Sequence, residues 1–325
     1  MSLLFLGSGA LGLPILDRLA ARRPGAIVVG TVPDAIRGRH GTPAPTPIKS
    51  RARELGLEYH EVATLAREHG RRLIDQAQAK LCIVADFRIF LTRGFLNAVP
   101  RHCYNLHPSM LPRYRGAAPV ARAILAGERQ HGVTLYRMVR EMDAGPIVDQ
   151  RPCPVPESLT RPELELRLAQ ACADLVEEWL PRLESGEVSL TEQDPARVTF
   201  APPLTKAEGW IDWSFPAERI ARQVLAMTPW PRTFSRWQAR AAPDGVLVFF
   251  DRAHPVAPEH GSADPGTILG VGAQGVRVAC GAGGTEAVAA TVLQRAGGKP
   301  LPAADFLRGT RISIGDRFEG GESVA

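Results

Sequence analysis

Short apolar runs alternate with amphipathic stretches in the first half of the chain. Three runs are rich in β-forming residues and end at turn residues, which is typical of buried parallel strands. These runs are Leu3–Leu6, Ile27–Gly30 and Leu81–Ala85. The stretches between them have helical spacing and cover Pro14–Arg22, Pro47–Leu55 and Ala66–Gln78. The alternation predicts an α/β sheet with helices on both faces.

Two further predicted strands enclose the most unusual stretch of the chain. The strands are Cys103–Leu106 and Val133–Met138, and the sequence NLHPSMLPRYRGAAP stands between them. This stretch holds too many prolines and glycines for regular structure. We therefore predict a loop at strand ends, which is where folds of this class carry chemistry.

The hydrophobic pattern changes after residue 160. Apolar residues recur every three or four positions from Arg161 to Glu184 and predict one long amphipathic helix that closes a first domain. A polar connector follows, and then a helix at Pro216–Ala226 and several short runs broken by glycine. These runs are Val246–Phe250, Thr267–Val271, Val276–Cys280 and Ala287–Leu293. We predict a first domain over 1–188, a linker over 189–205 and a small, mainly β domain over 206–325.

Composition adds little beyond a slightly basic balance. The 325 residues are 45% hydrophobic and 22% charged, as in ordinary globular proteins, and 39 Lys and Arg against 34 Asp and Glu weakly favour a polyanionic partner. Five well-separated cysteines without a CxxC pair indicate free thiols and no metal site. The apolar start has no basic segment before it, and no run is long enough for a membrane span. We expect a cytoplasmic protein with no membrane partner.

A glycine motif follows the first predicted strand. Residues Gly7–Gly12 match GxGxxG, and Asp34 lies at about the distance expected of an acid that contacts ribose. A dinucleotide site would place pyrophosphate on these glycines, but any open α/β sheet needs small residues where its first strand meets its first helix. Asp34 follows Pro33 in a predicted loop rather than at a strand end, so we favour the packing explanation.

Three polar residues lie where two neighbouring strands end. Asn105 and His107 share one face of a strand because side chains alternate, and Asp143 follows the next strand. An amide such as that of Asn105 stabilises an oxyanion, an imidazole moves a proton, and a carboxylate orients the imidazole. The three residue types fit attack of an amine on a carbonyl carbon. By itself, however, an N-x-H pattern is also typical of a structural turn.

The loop and the following GVTLYRMVREMDAGPI resemble the formyltransferases that use 10-formyltetrahydrofolate, in which N-x-H-x-S-L-L-P and a downstream Asp form the active site. The resemblance implies a catalytic set of Asn105, His107 and Asp143. It also implies a Rossmann-like formyltransferase domain followed by a small OB-like β-barrel domain. The folate contacts that it implies are Phe87, Arg88, Ile89, Ser109, Met110, Leu111, Pro112 and Asp143.

Other stretches resemble the family members that formylate initiator methionyl-tRNA. They include the basic loop within Val32–Lys49 and the later strings LTKAEGWIDWS, TPWPRTFS and LQRAGGKPLPAADFLRG. The tRNA contacts implied are Arg37, Arg39, Lys49, Arg113, Arg115, Lys206 and Arg232. The C-terminal cations expected to follow the acceptor arm are Arg232, Arg236, Arg240, Arg295 and Lys299. We expect the protein to act as a monomer.

The chain departs from the family pattern at two places. Asp86–Arg88 stands where the family has a Tyr-Gly pair, and Asp143–Pro146 replaces Asp-Thr-Gly-Asp. FRIFL and GVTLYRMVREMDAG also resemble sugar-nucleotide formyltransferases, which share the three catalytic residues, so an amino-sugar nucleotide is the alternative acceptor. A third possibility, a non-catalytic nucleic-acid-binding module, leaves the three convergent polar residues without a purpose.

Overall fold

The computed structural model describes residues 2–36, 42–239, 242–257 and 262–321, in two compact units. The first unit comprises Met1–Pro119, Gln130–Pro154 and Glu165–Ala201. The second comprises Val120–Arg129, Val155–Leu164 and Pro202–Ala325. Two stretches from the first half of the chain thus group with the C-terminal residues, whereas the domain limits expected from the sequence follow chain order and stay a prediction.

The first half of the chain alternates strands and helices, as its hydrophobic pattern predicts. The strands are β1 (Ser2–Gly7), β2 (Ile27–Thr31), β3 (Ala35–Ile36), β4 (Pro43–Ala44), β5 (Glu58–Glu61), β6 (Ala79–Ala85), β7 (Cys103–His107), β8 (Gln130–Arg137) and β9 (Ile147–Pro154). The helices are α1 (Gly12–Arg22), α2 (Pro47–Glu54), α3 (Glu68–Ala77), α4 (Arg93–Ala98), α5 (Pro119–Ala126) and α6 (Arg161–Ser185). The predicted strands and helices of this half are confirmed, and the strands β3, β4, β5 and β9 and the helices α4 and α5 are additional.

One sheet organises the first unit, in the strand order β5-β2-β1-β6-β7-β8-β9. The five strands from β5 to β7 run parallel, and the central strands β1 and β6 are almost wholly buried. The next two pairs, β7 with β8 and β8 with β9, are antiparallel. The sheet therefore changes from parallel to antiparallel at β7, the strand that carries Asn105 and His107.

The C-terminal part of the second unit is mainly β, as the sequence predicts. Its strands are β10 (Thr233–Ala239), β11 (Ala242–Val256), β12 (Ile268–Gly272), β13 (Gly275–Cys280), β14 (Glu286–Arg295), β15 (Leu301–Pro302) and β16 (Arg317–Glu319), and its helices are α7 (Ala217–Met227) and α8 (Ala303–Gly309). The strand order is β12-β13-β14-β11-β10-β16, with antiparallel pairing throughout. A bridge between Thr267 and Arg317 joins the two edges, so the sheet curls into a barrel.

Three aromatic rings form the centre of the barrel core. Trp213 stacks on Phe318 with ring centroids 5.7 Å apart, and Phe250 meets Phe318 edge to face at 5.2 Å. All three side chains are almost completely buried. Large rings of this kind fill a small barrel without leaving voids, which is why a core substitution is costly here.

The cysteines agree with the expectation of free thiols. All five cysteines are free, and four of them are buried. Within the described ranges, no helix combines the length and apolar character needed to cross a membrane.

Replacing Phe318 by Ala is expected to destabilise the barrel by about 3–5 kcal/mol, because it leaves a cavity between Trp213 and Phe250. Four of the five tryptophans lie in the second unit, so urea unfolding followed by tryptophan fluorescence reports on that unit. Ile314→Ala is the matched control, since Ile314 is 66% exposed and its truncation should change the free energy of unfolding by less than about 0.5 kcal/mol. Equal effects of the two variants would contradict this description of the core.

Candidate active site

The antiparallel pair β7 and β8 places four polar side chains on one face of the sheet. Asn105 lies directly opposite Tyr136, and His107 lies directly opposite Thr134. Side chains of directly opposed residues point to the same face, within about 5.5 Å of each other at Cβ. This register assembles the centre of the site from two strands.

Asp143 completes the group from the loop between β8 and β9. Its Oδ1 accepts a hydrogen bond from the hydroxyl of Tyr136 at 2.9 Å, and its Oδ2 accepts one from the backbone N–H of Gly116 at 2.7 Å. Its backbone has a left-handed φ of 52°, a conformation that costs about 1–3 kcal/mol outside glycine. The carboxylate is therefore held by specific bonds rather than by the local preference of the chain.

Tyr136 connects Asp143 to Asn105. The side-chain amide of Asn105 donates to the Tyr136 hydroxyl oxygen at 3.1 Å, while that hydroxyl donates to Asp143. Tyr136 is 1% exposed, and its burial, with the charge of Asp143, raises the pKa of the phenol well above its ordinary value. The phenol consequently keeps its hydrogen and stays a donor to the carboxylate.

His107 lies beside the carboxylate and is almost fully buried. Its Nε2 is 3.0 Å from the backbone oxygen of Tyr114, and its Nδ1 is 3.8 Å from Oδ2 of Asp143. A carbonyl oxygen can only accept, so Nε2 carries a hydrogen and Nδ1 of the neutral ring keeps its lone pair. Nδ1 faces the carboxylate of Asp143.

Hydrogen bonds of the Gln193 side chain also hold the loop that carries Asp143. The side-chain amide of Gln193 donates to the backbone oxygens of Asp143 and Gly145 at 2.8 and 2.7 Å. Its Oε1 accepts from Nε and a terminal nitrogen of Arg115, at 3.1 and 2.7 Å. Gln193 lies in the stretch predicted as a linker, so that stretch contributes to the site.

The loop after β7 is closed by bonds from β8 and β9. Thr134 donates to the backbone oxygen of Ser109 at 2.6 Å and accepts from the backbone N–H of Leu111 at 3.1 Å. Gln150 donates to both Thr134 and the backbone oxygen of Leu111. Ser109, Leu111 and Pro112 are buried, so they shape the loop, and their contact with folate stays a prediction.

The other residues predicted to contact folate lie on the loop after β6 and in the loop after β7. Phe87 and Ile89 are half-buried against the core, Arg88 is exposed, and Met110 is half-buried. Asp86, which precedes them, is bonded to the glycine motif: its backbone carbonyl oxygen accepts hydrogen bonds from the N–H groups of Ser8 and Gly9, at 3.0 and 3.2 Å.

The geometry of the glycine motif supports close packing rather than dinucleotide binding. An added Cβ on Gly9 would lie 1.5 Å from Oδ2 of Asp86, so this carboxylate occupies the space over the glycine. Asp34, which a dinucleotide site would direct to ribose, is bonded to Nζ of Lys49 at 2.6 Å. Both features of the motif are therefore engaged within the protein.

The predicted tRNA contacts fall in different environments. Lys206 is exposed, Arg113 is half-buried, Arg115 bonds to Gln193, and Arg232 bonds to Asp251 and lies over the ring of Phe249. Arg295, Lys299 and Arg236 are exposed, whereas Arg37, Arg39 and Arg240 lie outside the described residues.

The tRNA contact expected of Lys49 is not supported. Its side chain is 3% exposed, and its Nζ is paired with the carboxylates of Asp34 and Glu61, which raise the pKa of the ammonium. A buried ammonium with two carboxylate partners cannot reach a phosphate without breaking those pairs. Sequence spacing cannot distinguish this cation from an exposed one in the same basic stretch.

Three residues of the site, Tyr136, Gln193 and Gln150, were not predicted from the sequence. Alternation along the eight residues of β8 places Thr134 and Tyr136 on one face, which was a usable signal. No signal in the sequence shows that β8 pairs antiparallel with β7, or that Gln193 returns to the loop of Asp143.

Comparisons with known proteins cover almost the whole chain. Residues 1–180 match the formyl transferase family, and residues 203–311 match the C-terminal domain of formyl transferases. The chain is 37% identical over 322 residues to a methionyl-tRNA formyltransferase of Granulibacter bethesdensis, covering 98% of this chain and 97% of that protein. It is 36% identical over 319 residues to one of Bradyrhizobium sp., covering 98% and 99%.

A solved structure shares the fold at low sequence identity. It is an N-formyltransferase from Helicobacter canadensis in complex with folinic acid and dTDP-3-aminofucose, with a TM-score of 0.64 and 14% identity over 91% of this chain and 99% of that one. At this identity the match concerns the fold alone. The family models and the full-length relatives show that this chain belongs to the formyltransferase family, in the group of the methionyl-tRNA formyltransferases.

Proposed function

We propose that this protein transfers the formyl group of 10-formyltetrahydrofolate to the free amino group of initiator methionyl-tRNA, giving formyl-methionyl-tRNA for translation initiation. The single observation that carries the proposal is the convergence of Asn105, His107 and Asp143 in a chain that aligns over 98% of its length with a methionyl-tRNA formyltransferase. We further propose that it acts as a monomer in the cytoplasm.

The site's own residues fit the chemistry of a formyl carbonyl. Asn105 is half-buried, and one N–H of its amide bonds to Tyr136. An amide nitrogen carries two hydrogens, so a second N–H is left for a substrate oxygen. As the amine attacks, the formyl oxygen gains negative charge, and a donor fixed in a water-poor site stabilises that charge more than water would.

His107 is positioned to move the proton that the reaction requires. The attacking amine loses one proton as the new C–N bond forms, and N10 of the folate gains one as the old C–N bond breaks. Nδ1 of His107 can carry that proton, because Nε2 is engaged with the oxygen of Tyr114 and the Asp143 charge faces Nδ1. The bond from Nε2 to the oxygen of Tyr114 orients the ring, and Asp143 offsets its transient positive charge.

The decisive experiment is formyl transfer from 10-formyltetrahydrofolate to charged initiator methionyl-tRNA, run beside a panel of amino-sugar nucleotides at equal concentration. We expect transfer to the tRNA alone. Asn105→Ala should lower kcat about 100- to 1,000-fold, as loss of one oxyanion donor does, while the affinity for tRNA is retained. Transfer to a sugar nucleotide and none to tRNA would make the amino-sugar nucleotide the acceptor.

Gln193→Ala should lower kcat about tenfold or more, because it releases the backbone of Asp143 and Gly145, and small displacements of catalytic groups are costly. Initial rates at saturating substrates measure this effect. The matched control is Gln170→Ala, whose exposed side chain bonds, among the residues that the structure describes, only to Asp174 on the same helix. If Gln170→Ala and Gln193→Ala have the same kcat, the proposed clamp on the Asp143 loop is wrong.

Lys49→Met should lower the thermal stability of the protein without changing how tRNA affinity depends on salt, because Lys49 is paired internally. Lys206→Met provides the comparison: Lys206 is exposed, and a lost phosphate contact should reduce the salt dependence by about one counterion. Binding titrations over a range of salt concentrations measure both slopes. A slope changed by Lys49→Met and not by Lys206→Met would reverse these two assignments.

A further inference from the structure

Tyr136 is a buried polar residue to which no step of the reaction above assigns a role. It lies directly opposite Asn105 across the β7–β8 pair, and its hydroxyl is 3.1 Å from Nδ2 of Asn105 and 2.9 Å from Oδ1 of Asp143. It is thus the only residue in the described part of the chain whose side chain bonds to both of these groups.

The hydrogen count of the three groups determines the direction of the chain of bonds. A phenol has one hydrogen, and an ionised carboxylate can only accept, so the Tyr136 hydrogen goes to Asp143. The phenol oxygen is then left to accept, and only the NH₂ end of the Asn105 amide can donate to it. If the amide were flipped, its oxygen would face the phenol oxygen with no hydrogen between them.

The orientation of Asn105 matters because the two ends of an amide have opposite polarity. With the nitrogen toward Tyr136, the second N–H of the same nitrogen is left without a partner among the described residues, on a side chain that shares its face of the sheet with His107. With the amide flipped, an oxygen lone pair would take the place of that N–H and repel a developing oxyanion.

Asp143 depends on Tyr136 less than Asn105 does. Its Oδ2 keeps the bond from Gly116, and its backbone keeps the bond from Gln193, when the phenol hydroxyl is absent. The hydroxyl of Tyr136, by contrast, is the single hydrogen-bond partner of the Asn105 side chain among the described residues. Loss of the hydroxyl should therefore act mainly through Asn105.

We propose that Tyr136 is a positioning residue that sets the amide of Asn105 with an N–H directed at the reacting formyl oxygen. The proposal rests on the proposed function of this site. Since the phenol remains protonated, it takes no part in proton transfer, and its effect is on the donor that stabilises the oxyanion.

The test is Tyr136→Phe, which removes the hydroxyl and keeps the ring in its buried place. We expect kcat to fall about 10- to 100-fold, less than for removal of the donor itself, with KM for both substrates within about threefold. An unchanged kcat in an active enzyme would overturn the proposal. Absence of transfer to tRNA by the wild-type protein would instead contradict the proposed function, and the variants would then be measured with the acceptor that the panel identifies.

A double-mutant cycle separates positioning from general damage to the fold. In an Asn105→Ala background, Tyr136→Phe should lower kcat by no more than about threefold, because the residue through which it acts is gone. Equal fold-losses in the two backgrounds would show that Tyr136 acts by another route and would overturn the proposal.

Tyr104→Phe is the matched control, because Tyr104 is a buried tyrosine on the same strand as Asn105 but on the opposite face. It should change kcat by less than about twofold. A loss as large as that of Tyr136→Phe would show that any buried phenol of this sheet matters equally.

A spectroscopic measurement tests the proposal without turnover. In the wild-type protein, the side-chain amide of Asn105, identified by its loss in Asn105→Ala, should show two distinct proton signals in a ¹⁵N spectrum, one of them protected from solvent exchange. Tyr136→Phe should remove that protection and Tyr104→Phe should keep it. Protection that survives in Tyr136→Phe would overturn the proposal.

Discussion

The antiparallel pairing of β7 with β8 is the constraint on which the candidate active site depends. Up to β7 every strand pair of the sheet is parallel, and a further parallel strand would run in the direction of β7, from Cys103 toward His107. The antiparallel return instead places Tyr136 opposite Asn105 and Thr134 opposite His107. A shift of one residue in this register would turn Tyr136 and Thr134 to the other face, because side chains alternate along a strand.

Around this pair, buried polar groups satisfy one another. The bonds from Gly116 and Tyr136 to Asp143 hold a residue whose backbone conformation is unfavourable, and Gln193 holds the same loop through its carbonyl oxygens. Polar groups buried without partners are costly, so each member of such a network restricts the positions of the others. The position of Asp143 is therefore fixed by bonds from three separate parts of the chain, namely β8, the loop of Gly116 and the stretch of Gln193.

Two sequence features that suggest contact with a ligand, the glycine motif and Lys49, make contacts within the protein. The glycine motif after β1 makes room for the carboxylate of Asp86. Lys49, from the stretch expected to form a basic tRNA-binding loop, pairs with Asp34 and Glu61. Both signals depend on residue types that serve ligands and packing equally well. The two uses differ in whether the backbone N–H groups or the charged side chain are already bonded to another part of the same chain.

The sequence by itself determined the main elements, since helical and strand periods in apolar residues are local properties: the runs at β1, β2 and β6 and the long helix α6 were predictable from them. The sequence also indicated Asn105, His107 and Asp143 as the candidate site residues, because the loop after β7 and the segment that follows it resemble the formyltransferases. Only the tertiary structure decided the roles open to Tyr136, Gln193 and Lys49. Strand direction, register and burial depend on contacts between residues distant in the chain, and no local pattern carries that information.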